Sequence, residues 1–406
     1  MEILPILRTL RRNKVGAALI ALQIAVTLAI ISNCLSIILQ RVQWMHRPSG
    51  IDEANIFALY NTWAEDPPDL KARIEADLAA LRALPGVIDA EAMNNTPLAL
   101  AGAEWHWPLA KHADHEFTAW SAIYTVDDHG LATYGLNLIA GRWFTASEVG
   151  EIRNNEVKFP PSVVITKSIA KALFPEGNAL GQTLYFQHTG STRVVGIVEK
   201  MQRPSDGPSS GNPWAEYSVL IPFQLVNNGL MYVVRTSPGQ RAAVMRATPA
   251  TLMELSRERI IQSLLSFAEI RHQAHRSNRA TIIILGTLSA LLLAITAFGV
   301  VGLTMYWVGQ RRRHIGMRRA LGARRVDILR YYQTENLLIA TTGCVMGVVL
   351  GLSGNTWLAA KLEIQRMSLS YACIGALIVL ALCQLAVLWP ALRAASVPPA
   401  IATRGL

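Results

Sequence analysis

The sequence has 406 residues, of which 51% are hydrophobic; its mean hydropathy is +0.27 and its formal net charge is +10. An apolar excess of this size argues against a wholly soluble chain and indicates a membrane protein. The arginines gather beside apolar segments, so the basic charge reflects membrane topology rather than nucleic-acid binding.

The chain begins with a short basic stretch, residues 1–14, which we expect to be amphipathic and cytoplasmic. The uncharged run 15–39 is long enough to cross a bilayer and predicts the first transmembrane helix. A cleavable signal peptide is the alternative, but the run is too long for the apolar part of such a peptide and lacks a clear cleavage site. Because basic residues precede the run, the N-terminus is predicted to stay in the cytoplasm.

Residues 40–279 are polar and contain no second run of spanning length, so they predict a large domain outside the cytoplasm. Strands are predicted at Ile56–Trp63 and Val87–Met93. Between them, leucine and isoleucine recur every three or four residues, which predicts a helix at Asp69–Leu84.

A similar strand–helix–strand unit is predicted near the end of the polar domain. It contains a strand at Met231–Arg235, helix-like sequence that Pro249 interrupts, and a strand at Ile260–Ser266. The domain is therefore divided into the flanking segments 40–97 and 223–279 and an insert, residues 98–222.

Three further uncharged runs predict transmembrane helices after the polar domain. They are residues 280–308, 337–360 and 371–392, with a cytoplasmic segment 309–336, a short outer loop 361–370 and a cytoplasmic tail 393–406. The run 337–360 carries glycines spaced along one helix face: Gly343, Gly347, Gly351 and Gly354. They predict close packing against another helix, and the alternative is the ordinary tolerance of membrane helices for glycine.

The cytoplasmic segment contains a basic pattern, QRRRHIGMRRALGARRVDILRYY, at Gln310–Tyr332. Eight arginines stand against one acid, Asp327, and aliphatic residues interleave with them. The pattern predicts two short amphipathic helices that meet at a corner formed by Gly322 and Ala323. Such helices can lie on a membrane face or dock into a partner's groove.

This segment resembles the cytoplasmic segment of FtsX-like and MacB-type ABC transporter permeases. The matching residues are Arg312, Arg313, Ile315, Gly316, Arg319, Ala320, Leu321, Gly322 and Ala323. His314 departs from the family, which usually has glutamate there, and Val397 departs from its closing motif. In the insert, Leu131–Phe144 and Ser162–Pro175 resemble motifs of the periplasmic domain of MacB-like permeases.

The resemblance implies an α-helical membrane protein with four transmembrane helices and a large α+β periplasmic domain. That domain would contain two split β-α-β units and a strand-rich inserted subdomain. The resemblance also implies a bacterial inner-membrane protein with both termini in the cytoplasm.

The resemblance further implies partners. A separate cytosolic ABC ATPase would bind ATP and Mg²⁺, with no cofactor in this chain, and a second permease protomer, identical or different, would complete the complex. A periplasmic adaptor, an outer-membrane channel and membrane lipids are further partners that the family allows, whereas nucleic acid is not expected. The implied ATPase-docking residues are Arg312, Arg313, Ile315, Gly316, Arg318, Arg319, Ala320, Leu321, Gly322, Ala323, Arg324 and Arg325.

The function implied is that of a non-catalytic permease subunit. It would transmit ATP-driven movement to the periplasmic domain and so expel a substrate from the periplasmic side. An FtsX-like scaffold that activates a cell-wall partner without transport is the first alternative, and a membrane-anchored enzyme or sensor is the second.

The sequence carries little other chemistry. The 406 residues contain no G-x-x-x-x-G-K-[ST] phosphate loop. The cluster His106, His112, Asp114, His115 and Glu116 is interpreted as a solvated surface rather than a metal site, because it lacks a metal-binding spacing. Tryptophans at 105, 107 and 120 indicate either a buried core or an aromatic binding patch.

Overall fold

The structure is a computed structural model that describes residues 14–65, 67–98, 105–112, 119–153, 156, 158–186, 190–204, 213–362 and 367–396. The chain divides into two compact units: residues 1–45 with 278–406, here the membrane unit, and residues 46–277, here the outer domain. Except for Lys14, the predicted cytoplasmic N-terminus lies outside the described residues, as do positions 397–406 of the predicted tail.

The membrane unit is built from four long apolar helices and one short basic helix among the described residues. They are α1 (Lys14–Met45), α7 (Arg276–Gln310), α8 (Arg312–Ala320), α9 (Arg325–Leu362) and α10 (Leu369–Ala395). Among the described residues, four of these helices, all except α8, are long and apolar enough to cross a membrane. They contain the four runs predicted from the sequence.

Helix α1 packs against α9 and α10 through a shared apolar core. Ile24 and Leu28 of α1, Ala340 of α9 and Val379 of α10 are fully buried in it. Polar side chains add bonds between helices. The Thr27 and Thr296 hydroxyls are 2.8 Å apart, which joins α1 to α7.

The outer domain contains a sheet of four strands within its described part, in the order β12-β1-β11-β2 and antiparallel throughout. The strands are β1 (Ile56–Trp63), β2 (Val87–Met93), β11 (Gly229–Thr236) and β12 (Arg259–Ser266). The strands β1 and β2 are confirmed at the predicted bounds. Each strand–helix–strand unit has a strand of the other unit between its own two strands.

One face of this sheet is covered by α2 (Leu70–Ala83) and α5 (Arg241–Leu255). The prediction that Pro249 interrupts the second helix is wrong, because α5 runs through it. Proline removes one backbone donor, but Val244 and Leu252 are buried on either side of it. Packing on both sides therefore holds the helix together.

The insert is rich in strands, as predicted. Its elements are β3 (Trp105–Ala110), β4 (Ala119–Val126), α3 (Gly130–Tyr134), β5 (Leu138–Gly141), β6 (Gly150–Ile152), β7 (Ser162–Thr166), α4 (Lys167–Leu173), β8 (Thr183–Phe186), β9 (Gly190–Val198) and β10 (Ser218–Leu225). Strand β10 continues beyond the predicted boundary at residue 222. Short helix α6 (Phe267–Ala274) follows β12.

The strands of the insert pair in a closed ring, β4-β3-β8-β9-β7-β10, because β10 also pairs with β4. Strands β5 and β6 attach to β9 and β10. Ile123, Val163, Val194 and Val219 from different strands belong to one buried cluster. Ring closure leaves these six strands without a free edge.

Candidate functional site at the basic corner

The basic corner, defined here as Arg311–Tyr332, is a helix–turn–helix. Helix α8 ends in a turn where Gly322 has a φ of +97°, a conformation that favours glycine. The Ala323 N–H donates to the Arg318 carbonyl over 3.1 Å and closes the turn. The Asp327 carboxylate accepts from the Arg324 N–H over 3.0 Å and caps the start of α9.

The prediction of two short helices is correct for α8 and wrong for the second helix. That segment is the first part of α9, which continues to Leu362. No proline or glycine separates the basic residues from the third apolar run, so nothing ends the helix there. A displacement of the corner is therefore a displacement of α9.

The inner side of the corner is apolar. Ile315 of α8 packs in the same buried cluster as Ile328 and Tyr332 of α9. Ile315 is only 6% exposed, and Gly316 beside it is also buried. These residues fix α8 against α9, so they are not part of the exposed surface.

An ion pair reinforces this packing. One Arg311 nitrogen, Nη1, lies 3.1 Å from both oxygens of Glu335, whose side chain is 3% exposed. A buried carboxylate requires such a partner, since desolvation without compensation is costly. Glu335 was not predicted as a functional residue. Its position, between the arginine-rich segment and the apolar run 337–360, could have indicated an ion pair with one of the arginines.

A second contact involves Arg318, whose guanidinium lies over the Tyr331 ring, 5.2 Å from its centroid. Tyr331 in turn stacks edge-on with Tyr332. These rings join the exposed arginines to the buried side of the corner.

The outer side of the corner combines exposed apolar and basic residues. Leu321 is 84% exposed, Val326 50% and Met317 48%. Six arginines of the same segment are also exposed: Arg312, Arg313, Arg318, Arg324, Arg325 and Arg330. Of the remaining predicted residues, Ala320 and Gly322 are exposed and Ala323 is half-buried; the side chain of Arg319 lies outside the described part of the structure.

The glycine face of α9 meets α1. A Cβ added at Gly343 would lie 2.7 Å from the Ala21 carbonyl oxygen, and one at Gly347 would lie 2.8 Å from that of Ala25. At Gly351 the nearest atom is the Ser32 hydroxyl, at 3.0 Å. Gly354 differs from these three, since nothing described lies within 4 Å of a Cβ there.

The other sequence candidates are scattered. His106 Nδ1 lies 3.0 Å from Nη2 of Arg203, a cation, and His112 is exposed. Asp114, His115 and Glu116 lie outside the described residues. Trp107 packs edge-on against Phe186 with ring centroids 5.0 Å apart, whereas Trp120 is 45% exposed.

Four helices long enough to cross a membrane, a large domain with two sheets and a basic corner between two of the helices indicate a multi-pass membrane protein. The chain belongs to the family of MacB- and FtsX-like ABC transporter permeases. The family model described as MacB-like periplasmic core domain matches residues 19–262, and the model described as FtsX-like permease C-terminal matches residues 286–399. The family predicted from the sequence is thereby confirmed.

Named relatives agree with this assignment. The chain is 27% identical over 279 residues to the macrolide export ATP-binding/permease protein MacB of Sodalis glossinidius; the match covers 65% of this chain and 40% of that protein. It is 25% identical over 292 residues to the uncharacterized ABC transporter permease YvrN of Bacillus subtilis, covering 70% of this chain and 69% of YvrN. The chain thus matches less than half of the length of the MacB protein.

A solved structure is also similar, the periplasmic region of MacB from Actinobacillus actinomycetemcomitans. The match has a TM-score of 0.34 and 17% sequence identity, and it covers 56% of this chain and 95% of that one.

Proposed function

We propose that this chain is the transmembrane permease subunit of a MacB-like ABC transporter, and that the basic corner is the docking site for a cytosolic ABC ATPase. In this proposal the ATPase is a separate polypeptide, and ATP and Mg²⁺ bind to it. The observation that carries the proposal is the two-sided construction of the corner. Its inner side is anchored to α9, while its outer side exposes Leu321, Val326 and Met317 on a segment that also exposes six arginines.

That outer surface suits a protein groove with acidic edges. An exposed leucine and methionine on a short helix provide apolar anchors, as in other helix-in-groove complexes. Arginine's planar fork makes paired bonds to carboxylates, which lysine cannot replace. Contact with anionic lipid head groups is the competing explanation, and it would need only the positive charge.

Movement would pass from the corner to α9 and then to α1. The ion pair between Arg311 and Glu335 and the packing of Ile315 make the corner and α9 move together. The backbone of α9 in turn closely approaches the backbone of α1 at Gly343 and Gly347. Helices α1 and α7 flank the outer domain in the chain, so both would deliver the movement to it.

We further propose that the substrate is moved on the outer side of a bacterial inner membrane rather than through the helices. The apolar runs carry no charged residue at their centres, whereas ion and solute pathways normally do. Both termini would be cytoplasmic, and a second protomer, identical or different, would complete the membrane complex. A periplasmic adaptor or outer-membrane channel would receive the substrate.

The docking proposal can be tested by measuring how tightly the ATPase binds this chain in lipid nanodiscs. Leu321→Glu should abolish complex formation with the ATPase, and Arg324→Lys should weaken it by more than tenfold. Leu180→Glu, at a leucine exposed in the outer domain, is the matched control and should leave binding unchanged. Wild-type binding by both corner variants would contradict docking, and a silent Arg324→Lys alone would favour lipid contact.

Transport can be separated from signalling with the same complex reconstituted in sealed lipid vesicles. A stimulated complex that moves no substrate but activates a cell-wall enzyme would support the FtsX-like alternative.

Topology can be tested with cysteine labelling in a chain whose four native cysteines are replaced. Trp120→Cys should react from outside, and Leu321→Cys only after permeabilisation; the reverse would contradict the orientation.

A further inference from the structure

The second face of the four-stranded sheet carries acidic residues. Strand β2 is at one edge of that sheet. Its alanines at 90 and 92 join the cluster beneath α2, so Asp89 and Glu91 are on the opposite face. Helix α3 lies there: a Cβ added at Gly130 would be 3.0 Å from the Glu91 Oε2 oxygen. Glycine at this position therefore lets α3 approach the carboxyl group.

The charges around Glu91 do not balance. Arg82 Nε donates to Asp89 over 3.0 Å, and another Arg82 nitrogen, Nη2, lies 3.6 Å from Asp127. His129 Nδ1 is 3.0 Å from the second Asp89 oxygen. Three carboxyl groups thus share one guanidinium and one imidazole. A proton on one of the carboxyl groups would reduce the excess negative charge.

Glu91 has the least compensation of the three. One of its oxygens accepts from the Asp127 N–H, and the other, Oε2, is buried with no hydrogen-bond partner among the described residues. The hydroxyls of Thr133 and Tyr134 in α3 are likewise buried without a partner in that part of the chain. An ionised carboxylate with an unpaired buried oxygen is costly, whereas the neutral acid is much less so.

Another charged group near α3, the Arg235 guanidinium, is already satisfied. Arg235 of β11 binds the Asp52 carboxylate through two nitrogens, at 3.0 Å and 2.9 Å. A third Arg235 nitrogen, Nη1, donates to the Ala132 carbonyl over 2.9 Å. Arg235 therefore holds the end of α3 on β11, and its charge is taken up by Asp52.

Burial acts in the same direction. It raises the pKa of Glu91 well above its ordinary value, and the nearby Asp127 carboxyl raises it further. Burial also raises the pKa of Asp127 and that of the Tyr134 hydroxyl. None of the three groups therefore loses its proton as readily as it would in water.

We propose that the space between β2 and α3 is a proton-binding site, in which Glu91 holds a proton when α3 is closed on the sheet. Loss of that proton to solvent leaves a buried carboxylate, which favours the opening of α3. The closed junction is thus stable at low pH and loosens as pH rises. If the outer domain faces the periplasm, as proposed above, the external pH sets this equilibrium.

The sign of the effect follows from proton linkage. Below the ordinary glutamate pKa, the acid is neutral in both the open and closed forms, so pH has no effect. Above it, the open form loses the proton and the closed form keeps it. The opening constant should then rise about tenfold per pH unit until the raised pKa of the closed form is reached.

The experiment is amide hydrogen exchange of the full chain in nanodiscs, from about pH 5 to about pH 9 and corrected for intrinsic exchange. In the wild type, exchange of residues 127–135 should increase with pH beyond the correction. Glu91→Gln, which cannot ionise at position 91, should weaken that dependence and leave only the part that the raised pKa of Asp127 contributes. Glu148→Gln is the control, since Arg142 already lowers the pKa of Glu148 to about 2. It should retain the wild-type dependence.

A second measurement does not depend on the variant folding. Infrared difference spectroscopy of the wild type, titrated upward from about pH 5, should show the carbonyl stretch of a protonated carboxyl group that is lost over the same pH range as exchange protection. A flat exchange profile in the wild type, or an unchanged one in a folded Glu91→Gln variant, would overturn the proposal. So would the absence of the protonated carboxyl band.

Discussion

Buried acidic residues on the two faces of the four-stranded sheet differ in their hydrogen bonding. On the face covered by α2 and α5, the Asp77 carboxylate accepts two bonds from Arg259, at 2.7 Å and 2.9 Å, and one from the Tyr232 hydroxyl at 2.8 Å. On the other face, one oxygen of Glu91 has no hydrogen-bond partner among the described residues. A fully bonded pair fixes the fold, whereas an incompletely bonded carboxyl can respond to pH.

The largest effect on stability should come from breaking the buried ion pair between Asp77 and Arg259. Arg259→Met leaves Asp77 charged and buried, so it should destabilise the outer domain by about 3–5 kcal/mol. Chemical denaturation followed by circular dichroism measures this loss. Arg257→Met, at an exposed neighbouring arginine, should change stability by less than about 0.5 kcal/mol.

The double variant Asp77→Leu with Arg259→Met sharpens the comparison. Removing both charges should recover most of the stability, because no charge is then left uncompensated. If the double variant is as unstable as Arg259→Met alone, the loss reflects packing of Arg259 over Trp63 rather than charge.

Close helix packing in the membrane unit should give the next largest effect. Gly347→Ala places a Cβ against the Ala25 carbonyl and should cost about 1–3 kcal/mol. Gly354→Ala is the matched control, in the same helix but with no described atom within 4 Å of the added Cβ, and should be neutral. Thermal unfolding in detergent compares the two, and equal losses would show that glycine flexibility matters rather than close approach.

Disrupting the Arg311–Glu335 pair should have an effect on stability of comparable size, together with a specific effect on function. Glu335→Gln keeps the shape and removes the charge, and should cost about 1–3 kcal/mol. We expect ATPase binding to persist while its coupling to transport falls, because the corner would no longer be fixed to α9. Simultaneous loss of binding and coupling would contradict this division of roles.

Local features of the fold followed from the sequence. The apolar periodicity of Asp69–Leu84 predicted a helix, and Ile56–Trp63 is a strand at the predicted bounds. Short-range patterns fix such elements because neighbouring residues decide which side is buried. The apolar runs were likewise enough to locate the four span-capable helices.

Features that depend on distant residues did not follow. The closed ring of strands needs β10 to pair with β4, which lies far away in the sequence. Glu335 pairs with Arg311 only because α9 continues past the corner, and Pro249 is tolerated only because its neighbours pack. Gly354 follows the packing glycines at a spacing of three residues instead of four, yet nothing described lies near it.

The docking of an ATPase at the outer side of the basic corner is tested most directly by site-specific crosslinking. A photo-crosslinker at Leu321, which is exposed, should capture the ATPase in nanodiscs, and one at Ile315, on the inner side of the same corner, should not. Capture at 321 alone is the result we predict. Equal capture at both positions, or none at 321 with a functional complex, would contradict the account.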